Sequence, residues 1–299
     1  MALKRIACVG VGQRLESFYF PILTKDYVDA WEIVGLCDNN QGRLDMASGW
    51  LRELGWEVRT FADDAFDHMI LATEPDAVLV TTRDCTHDHY ICRAMELGCD
   101  VITEKPMTTD EVKCQRIIDT QRMTGRTCIV TFNYRYSPPR TQVKDLLMSG
   151  VIGNIVSVDF HWLLDTKHGA DYFRRWHGQK VNSGGLQVHK ATHHFDLVNW
   201  WLSTVPERVY ATGSRNFYRP EMAERYGLKN RGERCLDCQE ASACPFFQDM
   251  RQYPALERIF LENERYDGYI RDACVFGSSI DIDDTLHVAV DYANGASMS

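Results

Sequence analysis

The sequence predicts an α/β protein: an N-terminal Rossmann domain with a doubly wound parallel sheet, then an α+β domain with a mostly antiparallel sheet. Three observations predict it. An apolar, β-prone run at residues 4–9 leads straight into Gly10-Val11-Gly12. Strand-like and helix-like segments then alternate up to residue 132, the rhythm of a parallel sheet with helical crossovers. Beyond residue 135 that rhythm stops and longer alternating segments take over, as in an antiparallel sheet with helices on one side.

After the first strand, residues 15–24 can form a helix that carries Pro21. A strand at 31–37 and a helix over 41–54 follow, then a short strand near 57–61 and a helix at 63–71. Residues 76–80 (Asp-Ala-Val-Leu-Val) read as a buried strand, 87–97 as a helix and 99–103 as a strand. A helix at about 109–123 and a strand at 127–132 complete the series. Ser137-Pro138-Pro139 starts a helix that ends near Ser149-Gly150, since proline suits the first helical turn and glycine the end. Alternating segments at 154–164, 206–217 and 284–292 predict strands, interrupted by a helix at about 186–202. The expected domains are 1–125, which binds the dinucleotide, and 126–299, for substrate and oligomerisation.

At the C-terminus, Leu286, Val288 and Val290 alternate towards Tyr292, and Asn294-Gly295 is a strong hairpin signal. Only Ala296 to Ser299 follow. A hairpin with such a stub would leave an unpaired sheet edge, which proteins usually protect. The expectation is a chain truncated there, or one that ends where a longer relative continues.

The chain has 299 residues, 44% hydrophobic and 25% charged, enough to bury a core in two domains. A net charge of −9 argues against a broad nucleic-acid footprint, which needs a basic patch. The apolar opening is too short for a signal peptide, and no run reaches the roughly 18 apolar residues of a membrane span. The eleven cysteines are an odd number. Most of them (Cys8, Cys37, Cys92, Cys99, Cys114, Cys128) sit singly in apolar segments, which suits a reducing compartment. A cytoplasmic protein with small-molecule ligands is expected, without nucleic-acid or membrane partners.

Gly10 and Gly12 lie where a tight turn brings backbone close to a pyrophosphate at a helix N-terminus. The third glycine of that fingerprint is missing, because position 15 is Leu15, and a plain strand-turn-helix would look similar. Asp38 closes the second strand, where a carboxylate can accept hydrogen bonds from the adenosine ribose and repel a 2′-phosphate. That favours NAD over NADP. As a turn residue before Asn39-Asn40, Asp38 would need no cofactor.

Thr103-Glu104-Lys105-Pro106 follows the fifth strand, with Thr81-Thr82-Arg83 and a helix from His87 before it. Asn133-Tyr134-Arg135-Tyr136, Pro138 and Gly150-Val151-Ile152-Gly153 come next. In these motifs and their order, over nearly the whole chain, the sequence resembles the glucose-fructose oxidoreductase / inositol dehydrogenase (Gfo/Idh/MocA) family. The resemblance implies that Lys105 lies beside nicotinamide and substrate as a catalytic or orienting group, and that Pro106 shapes the nicotinamide pocket. Candidate cofactor contacts are then Gly10, Gly12, Gln13, Arg14, Asp38, Thr82, Arg83, His87, Glu104, Lys105 and Pro106. Assembly through the open face of the C-terminal sheet into a homo-oligomer is expected by the same resemblance.

The segment Gly184-Gly185 to Asp196 places His189, His193 and Asp196 on one helical face. The family's usual aspartate is replaced here by His189, and a common glycine by Ala191. The resemblance thus implies a catalytic group of Lys105, His189 and His193, with histidine as a base suited to neutral pH. His-x-x-x-His on a helix also fits metal binding, but Lys190 stands where zinc proteases need glutamate. Buried histidines packed with Phe195 and Trp200 are the plainer alternative. Tyr172-Phe173-Arg174-Arg175-Trp176-His177 is rich in aromatic and basic groups of the kind that hold sugars or acidic sugars, or simply a solvated loop. Arg135, Arg175, Trp176, Lys190 and His194 are the substrate candidates.

Cys235-x-x-Cys238-x5-Cys244 has the spacing of metal ligands in a loop-rich segment, with Cys274 as the nearest fourth. A structural zinc, an iron–sulfur cluster, or a thiol pair without metal all fit. The leading function is NAD-dependent hydride transfer with a secondary alcohol of a sugar, inositol or related polyol. A glycosidase that oxidises transiently and eliminates, and a non-catalytic NAD or sugar sensor, are the rivals. Net NADH production separates the first from the second, and substrate turnover separates both from the third.

Overall fold

The computed structural model describes residues 3–299. Six strands, β1 (Lys4–Val9), β2 (Trp31–Asp38), β3 (Arg59–Ala62), β4 (Ala77–Val80), β5 (Asp100–Thr103) and β6 (Cys128–Val130), form one sheet in the order β3-β2-β1-β4-β5-β6. Every pairing in it is parallel. Helices α1 (Gln41–Glu53), α2 (Phe66–Thr73), α3 (His87–Glu96) and α4 (Glu111–Thr124) are the crossovers. Because side chains alternate across a strand, Ile6 and Cys8 enter one core with Leu36, Leu44 and Leu79. Ala7 and Val9 enter the opposite core with Val78, Val80, Ile91 and Met95. Two buried faces require the continuous apolar runs seen in β1 and β4. β6 belongs to this sheet, which therefore extends past the expected 125/126 boundary.

The first helix is wider than predicted. Residues 15–19 and 22–26 make π-type turns on either side of Pro21, which has no N–H to continue an α-helical ladder. Leu15, in place of the third fingerprint glycine, is fully buried in the core against β1.

In the second half, α5 (Pro138–Met148) starts after Ser137 as expected. The sheet holds β7 (Ser157–Val158), β8 (Pro206–Ser214), β9 (Thr285–Tyr292) and β10 (Ser297–Met298) in the order β7-β10-β9-β8. Of the expected strand at 154–164, only β7 is regular. The C-terminal stub is an interior strand: β10 pairs antiparallel with β9 and parallel with β7. Gly295, with φ of 86°, makes the turn between β9 and β10. Between β7 and β8 run α6 (Thr166–Arg174), α7 (Lys180–Ser183), α8 (Leu186–His189) and α9 (Thr192–Leu202). The single helix expected at 186–202 is thus broken at Lys190-Ala191. Residues 215–284 leave the sheet as a loop-rich excursion before returning as β9.

Candidate functional site

A cavity of about 560 Å³ opens at the carboxyl ends of β1, β2, β4 and β5. The strand order reverses between β1 and β4, and such a switch point is where doubly wound sheets bind ligands. Gly10 (φ 91°) forms its floor; a Cβ there would lie 2.6 Å from the Thr81-Thr82 backbone. Only glycine lets the loop lie this close to β4 and keep its left-handed conformation. Asp38 stabilises that loop from β2. Its Oδ2 accepts from the Val11 N–H at 2.5 Å, and its Oδ1 from the Asn40 N–H at 2.8 Å. Burial pushes the Asp38 carboxyl above its usual range, opposed by Arg43 and these two N–H groups.

The excursion returns to this end of the cavity and lines it with Phe260, Asp267 and Tyr269. Arg43 Nη2 donates to Asp38 at 2.9 Å, to Asp267 at 2.7 Å and to Asn39 at 3.2 Å. Asn40, the N-cap of α1, also donates to the Asn263 carbonyl at 2.9 Å. A side chain at Gly42 would collide with Asn263, so glycine is what allows α1 and the excursion to meet. Nothing in the residues 215–284 pointed to the Asp38 end of the cavity from sequence, because the contact links residues 224 positions apart.

At the other end, Lys105 Nζ donates to the His189 carbonyl at 2.7 Å, and His189 Nδ1 lies 2.6 Å from Asp84 Oδ2. His189 Nε2 is left without a hydrogen-bond partner among the described residues, and His189 lines the cavity. Burial pushes the Asp84 carboxyl up to about 7, although His87 and Lys105 oppose it. Burial brings the Lys105 ammonium down to about 8, opposed by Asp84 and Glu104. Burial, reinforced by Lys105 and Arg175, holds His189 well below the usual imidazole range. The His177 ring lies 4.1 Å from that of His189 and stacks on Trp176 at 3.6 Å. Tyr172 completes this wall.

Asp84 is absent from the sequence-derived candidates. The signal for it was an acidic residue just after β4, at the switch point. His193 lines the cavity but stacks on Tyr134 at 3.9 Å, with Nδ1 buried and unpartnered. Burial, then Lys105 and Lys190, push it down to about 2. Gly12, Gln13, Arg14, Thr82, Arg83, Glu104, Arg175, Trp176 and Lys190 also line the cavity. Glu104 accepts from Arg14 at 2.6 Å and Tyr19 at 2.7 Å, which fixes the strand end carrying Lys105.

Seven candidates lie elsewhere. His87 is fully buried, its ring nitrogens 2.9 Å from the Pro106 carbonyl and 3.2 Å from that of Thr82, so it braces the two loops behind the cavity. Pro106 contributes that carbonyl and does not line the cavity. Arg135 is engaged by both oxygens of Asp196, joining the junction segment to α9. His194, next to His193 on a helix and therefore on another face, packs among Tyr134, Phe160 and Trp162. Cys235, Cys238 and Cys244 line a second, smaller void with Cys274.

Comparison with known proteins agrees with this fold. Residues 4–132 match the description "Oxidoreductase family, NAD-binding Rossmann fold", of the GFO_IDH_MocA family, and 144–299 its "C-terminal alpha/beta domain". The chain is 38% identical over 306 aligned positions to the protein YteT of Bacillus subtilis (strain 168), covering 99% of this chain and 71% of that one. The WlbA dehydrogenase of Bordetella pertussis, solved with NADH and UDP-GlcNAcA, superposes with a TM-score of 0.67 at 20% identity, over 99% of this chain and 71% of that one. The myo-inositol 2-dehydrogenase of Lactobacillus plantarum gives 0.68 at 18% identity, over 99% and 68%. At those identities the structural likeness concerns the fold.

Proposed function

Because the chain belongs to the Gfo/Idh/MocA family of oxidoreductases, we propose that it transfers hydride between NAD and a secondary alcohol of a sugar, inositol or related polyol. The observation that supports this best is one cavity lined by the glycine loop at one end and by Lys105, His189 and Asp84 at the other. When bound, the nicotinamide ring supplies the hydride acceptor. Lys105 spends one of its three N–H donors on the His189 carbonyl and keeps two to orient a substrate hydroxyl. With Nδ1 held by Asp84, His189 presents Nε2 to take the hydroxyl proton, and the carboxylate offsets the charge that develops on the ring. Tyr172 and Trp176 offer ring faces to a sugar, and Arg175 and Lys190 offer positive charge to an acidic one.

The cradle around Gly10 fits a pyrophosphate, and the ribose end carries a surplus of negative charge. Asp38, Asp63 and Asp267 line it, and Arg43 is paired to two of them. That arrangement disfavours a 2′-phosphate and supports NAD. Asp267→Asn, which leaves Arg43 only one paired carboxylate, is expected to raise NADP affinity relative to NAD about tenfold, or ~1.4 kcal/mol. Titration of both dinucleotides against the purified variant checks this; an unchanged ratio would separate Arg43 from the ribose pocket.

Purified protein supplied with NAD and a panel of inositols, aldoses, uronic acids and their glycosides tests the function. Net NADH with an inositol or sugar is the expected result. Aglycone release without net NADH would replace the dehydrogenase by a transiently oxidising glycosidase. Tight dinucleotide binding with no turnover of any compound would leave a sensor.

A further inference from the structure

Seven of the eleven cysteines are dispersed through the Rossmann domain, whereas Cys235, Cys238, Cys244 and Cys274 surround one void of about 20 Å³ inside the excursion. The backbone is arranged to bring them there. Arg234 and Ala273 form an isolated antiparallel bridge, with the Cys235 N–H donating to the Asp272 carbonyl and the Cys274 N–H to that of Glu233, both at 2.8 Å. Cys235 and Cys274 are thereby set side by side. Three tight turns begin on cysteines: Cys238 N–H returns to the Cys235 carbonyl, Phe247 to Cys244 and Gly277 to Cys274.

Such turns aim backbone N–H groups at the sulfurs, as bound thiolates require. Gly232 N–H donates to Cys238 Sγ at 3.4 Å. Main-chain donors of Gln248, of Phe246 and Phe247, and of Phe276 serve Cys235, Cys244 and Cys274. Positive charge is near: Arg174 Nη1 lies 3.6 Å from Cys235 Sγ, and the Arg231 guanidinium acts on Cys274. Four thiolates around a divalent ion leave a net charge of about −2, which these two residues offset.

We propose that Cys235, Cys238, Cys244 and Cys274 form a structural zinc site that pins the excursion and, through it, the wall of the cofactor cavity. A void of this size holds one water-sized centre, too little for a cluster of several irons. As they stand, no three candidate ligands among the described residues are drawn together closely enough to hold an ion. Zinc binding takes up the four sulfurs as thiolates, releases their protons and draws them in. The excursion has little regular structure of its own, so a cross-link at its base offsets much of its ordering entropy. Phe260, Asp267 and Tyr269 lie on the same excursion and line the dinucleotide end.

The test is the metal content of protein purified from zinc-supplemented cells without chelators. About one zinc per chain is expected, released into a chromogenic chelator as a mercurial titrates the thiols. Cys238→Ser and Cys244→Ser should each retain less than about a fifth of that zinc. Independently of whether those variants fold, wild-type protein reconstituted with Co²⁺ gives a second readout: intense thiolate-to-cobalt absorption bands of a tetrahedral site. Wild-type protein that holds less than about a fifth of an equivalent of zinc and shows no such bands would overturn the proposal. So would iron with the visible charge-transfer bands of an iron–sulfur cluster.

Discussion

Lys105→Met is expected to lower kcat for alcohol oxidation by about 10²- to 10⁴-fold, the range for losing a group that acts on the transferring proton. The methionine side chain fills the same space, so the loss reports the ammonium rather than a cavity. Lys105 sits immediately after Glu104 at the end of β5 and donates to the carbonyl of His189 at 2.7 Å. Removing it deprives the substrate hydroxyl of a donor and frees the backbone that carries His189. The proposed dinucleotide end lies on other residues, Gly10, Gly12, Gln13, Arg14 and Asp38. NAD affinity, measured by fluorescence titration, should therefore change by less than about threefold. Loss of NAD binding in proportion to kcat would instead make Lys105 a residue of the cofactor cradle.

Asp84→Asn is expected to cost about as much, because an amide opposite Nδ1 no longer fixes the imidazole tautomer or offsets its developing charge. The pH profile gives the sharper readout. Burial raises Asp84 to about 7, so below that pH the carboxyl carries a proton and cannot serve as the acceptor that supports His189. Burial lowers Lys105 to about 8, so above that pH the ammonium loses the proton with which it orients the hydroxyl. The kcat/KM for oxidation should rise through about pH 7 and fall above about pH 8 in the wild type. Asp84→Asn should keep only the upper limb. A variant that retains both limbs, or a wild-type rate that climbs through pH 8 with neutral lysine, would move the base from His189 to Lys105.

The catalytic candidates show how far local pattern carries. Lys105 was singled out by its family-like Glu-Lys-Pro motif, and a lysine after the fifth strand of a doubly wound sheet does face the ligand crevice. His189 was legible as an unusual residue in its motif, although the continuous helix that placed it beside His193 is broken at Lys190-Ala191. The break leaves His189 on the Asp84 side and stacks His193 on Tyr134. Arg135 had the residue type of a substrate site, yet Asp196 satisfies its charge. Whether an arginine pairs within the protein or waits for a ligand depends on which neighbour the fold brings up, and residue type alone leaves that open.

What the sequence by itself determined is the Rossmann half. Its strands are short apolar runs, its helices have legible ends, and Gly10 holds a turn that no side chain tolerates; each signal lies within a few residues of the feature it specifies. What only the tertiary structure decided is the set of long-range meetings: Asp84 with His189 across 105 positions, and Arg43 with Asp267 across 224. It also turned the C-terminal stub from an expected edge into an interior strand, because β7 supplies a partner on its far side. Propensity and periodicity act along the chain, whereas these contacts form only when packing has already fixed where distant segments lie.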